Sequence, residues 1–252
     1  LVALHKGIVM EKYGRIHYNA DPRHYIRETY SRQMSQIRGD FTIETNIGIL
    51  GDLVGYGKTL LALSIVASNP SQNININTKD IQSYSGKGYS HFIATYNTNT
   101  TNSFLDYIKT TLIVVPRGPV YIQWEKTLKQ NTTLKYLSIH CLNIIKKELP
   151  PCSATNQTIR EFFEQYDVVL IKNTTLKSLI DHYTLPYKEN HPIIGWDRIM
   201  IDEAHDIISK IPLLSFRFLW MISGTYNALL YKNINIRTQM SYAIRDIINE
   251  ER

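Results

Sequence analysis

The sequence predicts an α/β fold, with a mostly parallel central sheet of about six or seven strands and helices on both faces. Three observations predict it. First, short apolar runs recur along the chain, among them TLIVVP (Thr111–Pro116), DVVLIK (Asp167–Lys172) and RIMID (Arg198–Asp202). Strands that read as continuous β-branched runs suit a parallel sheet covered on both faces. Second, segments with helical spacing lie between those runs, such as Val120–Gln130 and Thr175–Tyr183. Third, a glycine-rich turn, GDLVGYGKT (Gly51–Thr59), sits between an apolar strand pattern and an apolar helix pattern.

The elements follow in order. Asn19–Asp40 is polar and reads as a loop or insertion. Asn46–Leu50 is a strand and Thr59–Ser68 a mostly apolar helix. Ser68–Ser90 and Thr95–Ser103 are rich in Asn, Ser and Thr and read as loops or inserted sequence. Thr111–Pro116 is a strand ended by proline. Val120–Gln130 is a helix with an imperfect apolar stripe of Ile122, Trp124 and Leu128. Leu134–Leu142 is a strand, and Thr158–Tyr166 a helix opened by a threonine cap. Strand Asp167–Lys172 leads into helix Thr175–Tyr183, and Arg198–Asp202 and Phe218–Ser223 are two more strands. The tail Ser241–Arg252 reads as a charged helix. There is no internal repeat.

Bulk properties narrow the class. At 252 residues, 43% hydrophobic and 20% charged, the chain can bury a sizeable core. No apolar run approaches the roughly 18 residues of a membrane span, so no membrane partner is expected. Residues 1–12 lack the features of a signal peptide. The chain begins on Leu1, which suggests processing or excision from something longer. Two cysteines, Cys141 and Cys152, make no disulfide framework, and an intracellular, reducing compartment is expected. The net charge of +6 permits a polyanionic partner without demanding one. His140, Cys141 and Cys152 lack zinc spacing, so no metal site is expected there.

Three stretches carry chemistry. In the glycine turn, Gly55 and Gly57 would let backbone N–H groups approach phosphate oxygens. Lys58 would reach the β- and γ-phosphates, and the Thr59 hydroxyl would hold Mg²⁺. The plain alternative is a glycine turn with an incidental Lys-Thr. The second stretch, RIMIDEAHDI (Arg198–Ile207), places Asp202 and Glu203 at a strand end, where ligands of parallel sheets bind. Asp202 could hold Mg²⁺ and Glu203 could polarise an attacking water. Here the alternative is a helix N-cap with first-turn acids. Lys58 and Asp202 lie 144 positions apart (202 − 58), which leaves room for several βα units between them. The third stretch, Ser223-Gly224-Thr225, lies at another strand end. Its hydroxyls could bond the carboxylates or His205 and relay the nucleotide state, although such a triplet is also a common turn.

Together these residues identify a resemblance. Residues 46–230 resemble the first RecA-like lobe of superfamily 2 helicases and translocases, and are most similar to the Swi/Snf-related branch. DLVGYGKT (Asp52–Thr59) is similar to that branch's D-E-x-G-x-G-K-T, with Leu53 in place of Glu. LIVVPRGPVYIQWEKTL (Leu112–Leu128), DVVLIKNTTL (Asp167–Leu176), WDRIMIDEAH (Trp196–His205) and WMISGT (Trp220–Thr225) resemble its later motifs in order. LHKGIVMEKYG (Leu4–Gly14) resembles its opening helix, with Lys6 where an adenine-contacting Gln is usual; Tyr226 replaces the usual Pro after SGT.

The resemblance implies a RecA-like P-loop NTPase lobe formed as one domain over residues 1–252, with polar insertions near 19–40 and 68–108. It implies ATP held by Asp52, Gly55, Tyr56, Gly57, Lys58, Thr59 and Leu60, and Mg²⁺ held by Thr59 and Asp202. Lys58, Asp202, Glu203 and His205 are the implied catalytic residues, and Ser223, Gly224 and Thr225 the coupling residues. Pro116, Arg117, Gly118, Asn173 and Thr174 would face nucleic acid, with DNA favoured over RNA. Gln123 and Trp124 are expected to support helix packing. The chain ends 27 residues past Thr225 (252 − 225), so a second RecA-like lobe is expected to be absent and to be supplied in cis or in trans. The implied function is the ATP-binding lobe of a DNA translocase or helicase, poorly active without its second lobe. The alternatives are an RNA helicase, a viral transcription-factor ATPase, a type III restriction motor subunit, or a non-catalytic interaction scaffold. The 17 tyrosines and the Asn-rich insertions suggest an A/T-biased genome, and the unusual insertions with a divergent family sequence suggest a large DNA virus. The expected location is then the nucleus, a cytoplasmic viral factory or the virion.

Overall fold

The computed structural model of the chain describes residues 15–18, 41–44, 47–53, 55–69, 79–86, 89–97, 107–183, 195–212, 214–225 and 228–229, with helical Leu4, Gly7, Ile8 and Glu11 near the start. In chain order the elements are β1 (Arg15–Tyr18), β2 (Phe41–Glu44), β3 (Ile47–Leu50), α1 (Lys58–Ser68), β4 (Lys79–Gly86), β5 (Tyr89–Asn97), β6 (Tyr107–Val115), α2 (Pro119–Asn131), β7 (Tyr136–Ile139), α3 (Leu142–Lys147), α4 (Asn156–Phe163), β8 (Val168–Lys172), α5 (Asn173–Tyr183), β9 (Gly195–Ile201), α6 (Ala204–Ile207) and β10 (Ser215–Ile222).

Six strands form one sheet in the order β3-β10-β9-β6-β8-β7, and every pairing in it is parallel. This is the α/β, parallel sheet that the apolar runs predict. Alternation along each strand divides the core in two. Leu112 and Val114 of β6, Ile199 and Ile201 of β9, and Leu219 and Met221 of β10 pack with α3, α4 and α5. Ile113 and Val115, Met200, Phe218, Trp220 and Ile222 pack with α1 and α2 on the other face. With both faces covered, every residue of β9 is buried, so its sequence shows no polar alternation.

Local chemistry sets several ends. Pro119 opens α2 just after Gly118, whose φ is 91°. Proline suits the first turn because its missing N–H would have no helical partner there. Thr155 caps α4, its hydroxyl accepting from the Thr158 N–H at 3.2 Å. At Gly48 the reason for glycine is a close approach. A Cβ would lie 2.4 Å from the ring of Trp220, its partner in the β3–β10 register.

The structure corrects several sequence expectations. The stripe on α2 is Tyr121, Trp124 and Leu128, while Ile122 is 64% exposed. The helix axis turns Tyr121, not Ile122, toward the sheet, where its hydroxyl meets Ser138 at 2.7 Å. The strand expected over Leu134–Leu142 shrinks to β7, and Leu142 begins α3 instead. His140 and Cys141 therefore lie beyond the strand. The helix expected from Thr158 starts at Asn156, because its cap is Thr155. Part of the stretch read as loops carries a ladder: β4 and β5 pair antiparallel from Lys79↔Asn97 to Gly86↔Tyr89. β1 and β2 form a second small antiparallel pair. The expectations for Lys6, Tyr226, Asn19–Asp40 and Ser241–Arg252 fall outside the described residues. No described helix is long and apolar enough to cross a membrane.

One buried polar cluster joins the N-terminal helical stretch to the sheet. Glu11 is fully buried and accepts from Arg198 Nε and Nη2, both at 2.6 Å. Trp220 Nε1 and Asn69 Nδ2 also donate to it, at 2.6 and 2.7 Å. Arg198 completes its set with Thr111 Oγ1 and the Asn69 carbonyl. Each member of the cluster is satisfied, which buried charge requires.

Candidate active site

Because the six strands are parallel, their C-terminal ends share one edge. β3, β10 and β9 are adjacent there, and they deliver the glycine turn, Ser223 and Asp202 side by side. The ladder continues one residue past two of the strands. Asp202 N–H donates to the Val114 carbonyl at 2.9 Å, and Ser223 N–H to the Leu50 carbonyl at 3.1 Å. Both residues are thereby held by backbone, independently of their side chains.

In the turn, Gly55 and Gly57 have φ of 88° and 76°, a region that disfavours any side chain. Nothing lies within 4 Å of where their Cβ atoms would be. The glycines therefore serve backbone conformation, and the space before them is open. Lys58 Nζ donates to the carbonyls of Asp52 (2.8 Å) and Leu53 (2.9 Å), so the ammonium arches over its own loop. Thr59 is half-buried at the start of α1. Tyr56 and Leu60 are exposed, as is Leu53 at 63%.

Asp202 is 7% exposed and both of its carboxylate oxygens are engaged. Oδ1 accepts from the Glu203 N–H at 2.9 Å, and Oδ2 from Trp124 Nε1 at 2.6 Å. Burial pushes its pKa up, against the pull of the indole and backbone N–H groups. Glu203 adopts φ 47°, a left-handed conformation that costs a non-glycine residue strain and that collects at functional sites. Burial and then the neighbouring Asp202 charge raise its pKa, opposed by His205 and Lys58. A carboxylate lifted this way is a stronger base toward water.

His205 links the two strand ends. Its Nδ1 lies 2.9 Å from Ser223 Oγ and 3.4 Å from Glu203 Oε2. Ser223 Oγ also accepts from the Thr225 N–H at 3.0 Å. Gly224 forms the bend between them. A continuous contact chain thus runs from Glu203 through His205 to the end of β10.

The implied nucleic-acid residues occupy the same edge. Pro116, Arg117 and Gly118 follow β6, and Asn173 and Thr174 follow β8, which adjoins β6. Arg117 and Thr174 are exposed. Asn173 Oδ1 is buried with no hydrogen-bond partner.

Residues 18–225 match the family model described as SNF2-related domain. The chain belongs to this SNF2-related family. No curated protein matches the sequence. Among solved structures, this SNF2-related chain is similar to the Sulfolobus solfataricus SWI2/SNF2 ATPase core in complex with dsDNA, with 14% identity and a TM-score of 0.39. That match covers 80% of this chain and 31% of the other. It is also similar to a nuclease-deletion mutant of the Type ISP restriction-modification enzyme LlaGI in complex with a DNA substrate mimic, with 20% identity and a TM-score of 0.43. That match covers 72% of this chain and 16% of the other. The SNF2-related chain therefore spans less than a third of either protein.

The residues present fit ATP and Mg²⁺. The open glycine turn and Lys58 supply the N–H groups and cation that phosphates take. The Thr59 hydroxyl and Asp202 carboxylate are hard oxygen donors of the kind Mg²⁺ takes. Sequence reasoning missed two parts of this architecture, the Glu11 cluster and the contact of Trp124 with Asp202. The signal for the second was available, since a buried tryptophan N–H usually finds a partner.

Proposed function

We propose that the chain is the ATP-binding lobe of a DNA-dependent ATPase of the Swi/Snf type. The observation that carries this reading is the meeting, on three adjacent strand ends, of an open glycine turn with Lys58, the carboxylates of Asp202 and Glu203, and the His205–Ser223 contact. In this reading the backbone of Gly55–Lys58 binds the phosphates, and Lys58 leaves its own carbonyls to do so. Thr59 and Asp202 hold Mg²⁺, which neutralises charge on the transferring phosphoryl group when bound. Glu203 orients and deprotonates the attacking water. His205 and Ser223 report the state of that site to the edge where Arg117 and Asn173 would meet a DNA backbone.

A single lobe makes half of such a site, and charge on the transferring group is commonly stabilised by an arginine from elsewhere. The chain alone should therefore bind ATP·Mg weakly and turn it over very slowly. The test is ATP hydrolysis by the chain with and without duplex DNA, single-stranded DNA or RNA. Slow hydrolysis with detectable nucleotide binding supports the reading. Absence of nucleotide binding, with or without Mg²⁺, favours an interaction scaffold instead. Fast DNA-stimulated turnover by the chain alone removes the need for a second lobe.

A further inference from the structure

The indole of Trp124 does more than fill space. Its side chain is 1% exposed and packs between α2 and the sheet, a role phenylalanine could serve. The N–H, however, points at Asp202 Oδ2 from 2.6 Å. That is the short, charge-assisted kind of hydrogen bond, roughly twice as strong as a neutral one. The three tryptophans of the chain differ in this respect. Trp220 donates to Glu11 in the structural cluster, and Trp196 Nε1 is buried with no partner. Trp124 is the one whose donor reaches the acidic strand end.

The geometry at Asp202 gives that bond a consequence. The Glu203 N–H holds Oδ1 and Trp124 holds Oδ2, so the carboxylate is gripped at both oxygens by donors that carry no charge. With the indole removed, Oδ2 loses its hydrogen-bond donor and the Glu203 N–H holds Oδ1 alone. We propose that Trp124 is a positioning residue that fixes the orientation of the Asp202 carboxylate for the Mg²⁺ accompanying a bound nucleotide. This rests on the nucleotide-binding reading above. Outer partners of metal-holding carboxylates typically contribute about 10–100-fold in metal affinity.

Calorimetric titration of the chain with ATP, once with excess Mg²⁺ and once with excess EDTA, tests it. Trp124→Phe keeps the ring and removes the donor. The expected result is unchanged affinity in EDTA and loss of about tenfold or more of the gain that Mg²⁺ gives the wild type. A Trp124→Phe chain that keeps the full Mg²⁺ gain overturns the proposal while leaving nucleotide binding intact. A wild-type chain that binds no ATP in either condition overturns the nucleotide reading and this proposal with it.

If Trp124→Phe does not fold, the wild-type indole signals carry the test. In chain labelled with ¹⁵N-tryptophan, Asp202→Asn should move one indole resonance, and ATP with Mn²⁺ in place of Mg²⁺ should broaden that same resonance in the wild type. An Asp202→Asn spectrum with all indole signals unmoved, or a resonance that stays sharp with Mn²⁺ and ATP, overturns the proposal.

Discussion

Arg198 and Glu11 form a buried, two-pronged ion pair, Nε to Oε1 and Nη2 to Oε2, both at 2.6 Å, between strand β9 and the N-terminal helical stretch. The side chains are 1% and 0% exposed. The pair lies four residues before Asp202 (202 − 198) on the strand that ends in the acidic site. It ties a segment 187 positions away to that strand.

Removing one member leaves the other charge buried without its partner. Arg198→Met or Glu11→Leu alone should destabilise by about 3–5 kcal/mol. The double replacement should cost clearly less than the sum, because it buries no lone charge. Urea unfolding of the two single variants and the double variant measures this. Additive losses would show that the pair is not energetically coupled.

Gly48 is set by the ring that crosses it. Gly48→Ala places a Cβ against Trp220, whose own N–H is engaged by Glu11, so the ring has little freedom to yield. The expected loss is about 1–3 kcal/mol, the usual range for overpacking. Thermal unfolding of Gly48→Ala in the Trp220→Leu background should show a smaller loss, since the obstructing ring is gone.

The chemical roles separate by substitution. In an ATPase-active form of the protein, Glu203→Gln should keep ATP binding and lower turnover by about 10²–10⁴-fold, the usual contribution of a positioned base. Lys58→Ala should abolish turnover and weaken binding itself. Steady-state hydrolysis beside equilibrium nucleotide binding distinguishes them. Near-normal turnover in either variant removes that residue from the site.

Asp197 predicts a pH dependence of stability. It is 1% exposed, and burial raises its pKa to about 6 despite Arg217 Nη1 at 3.2 Å. The folded chain therefore holds this proton more tightly than the unfolded chain, whose value is near 3.8. The contribution is fully present below about pH 4 and is lost as pH rises through about 6. The amplitude is on the order of 2–3 kcal/mol. Between pH 4 and 8 the denaturant midpoint of wild type should fall relative to that of Asp197→Asn, which does not titrate, as pH rises through about 6. Parallel profiles would remove Asp197 as the source.

Much of this arrangement was legible in the residues. Strands such as Thr111–Pro116 and Arg198–Asp202 were readable because burial on both faces leaves unbroken apolar runs. The glycine turn was readable because Gly55 and Gly57 are needed for a left-handed backbone, a local requirement. Ile122 misled because both it and Tyr121 suit a helical stripe, and the choice between neighbouring faces is made by the sheet beneath. The ladder of β4 and β5 was hidden because Asn, Ser and Thr carry loop statistics wherever they pair.

By itself the sequence determined the α/β alternation, the glycine turn and the acidic strand end, since each depends on spacing within a few residues. The tertiary structure decided the strand order that brings Gly57, Asp202 and Ser223 to neighbouring ends. It alone decided that Glu11 meets Arg198 and that Trp124 meets Asp202. Those contacts join residues 187 and 78 positions apart, and no local pattern encodes which distant donor a buried carboxylate will find.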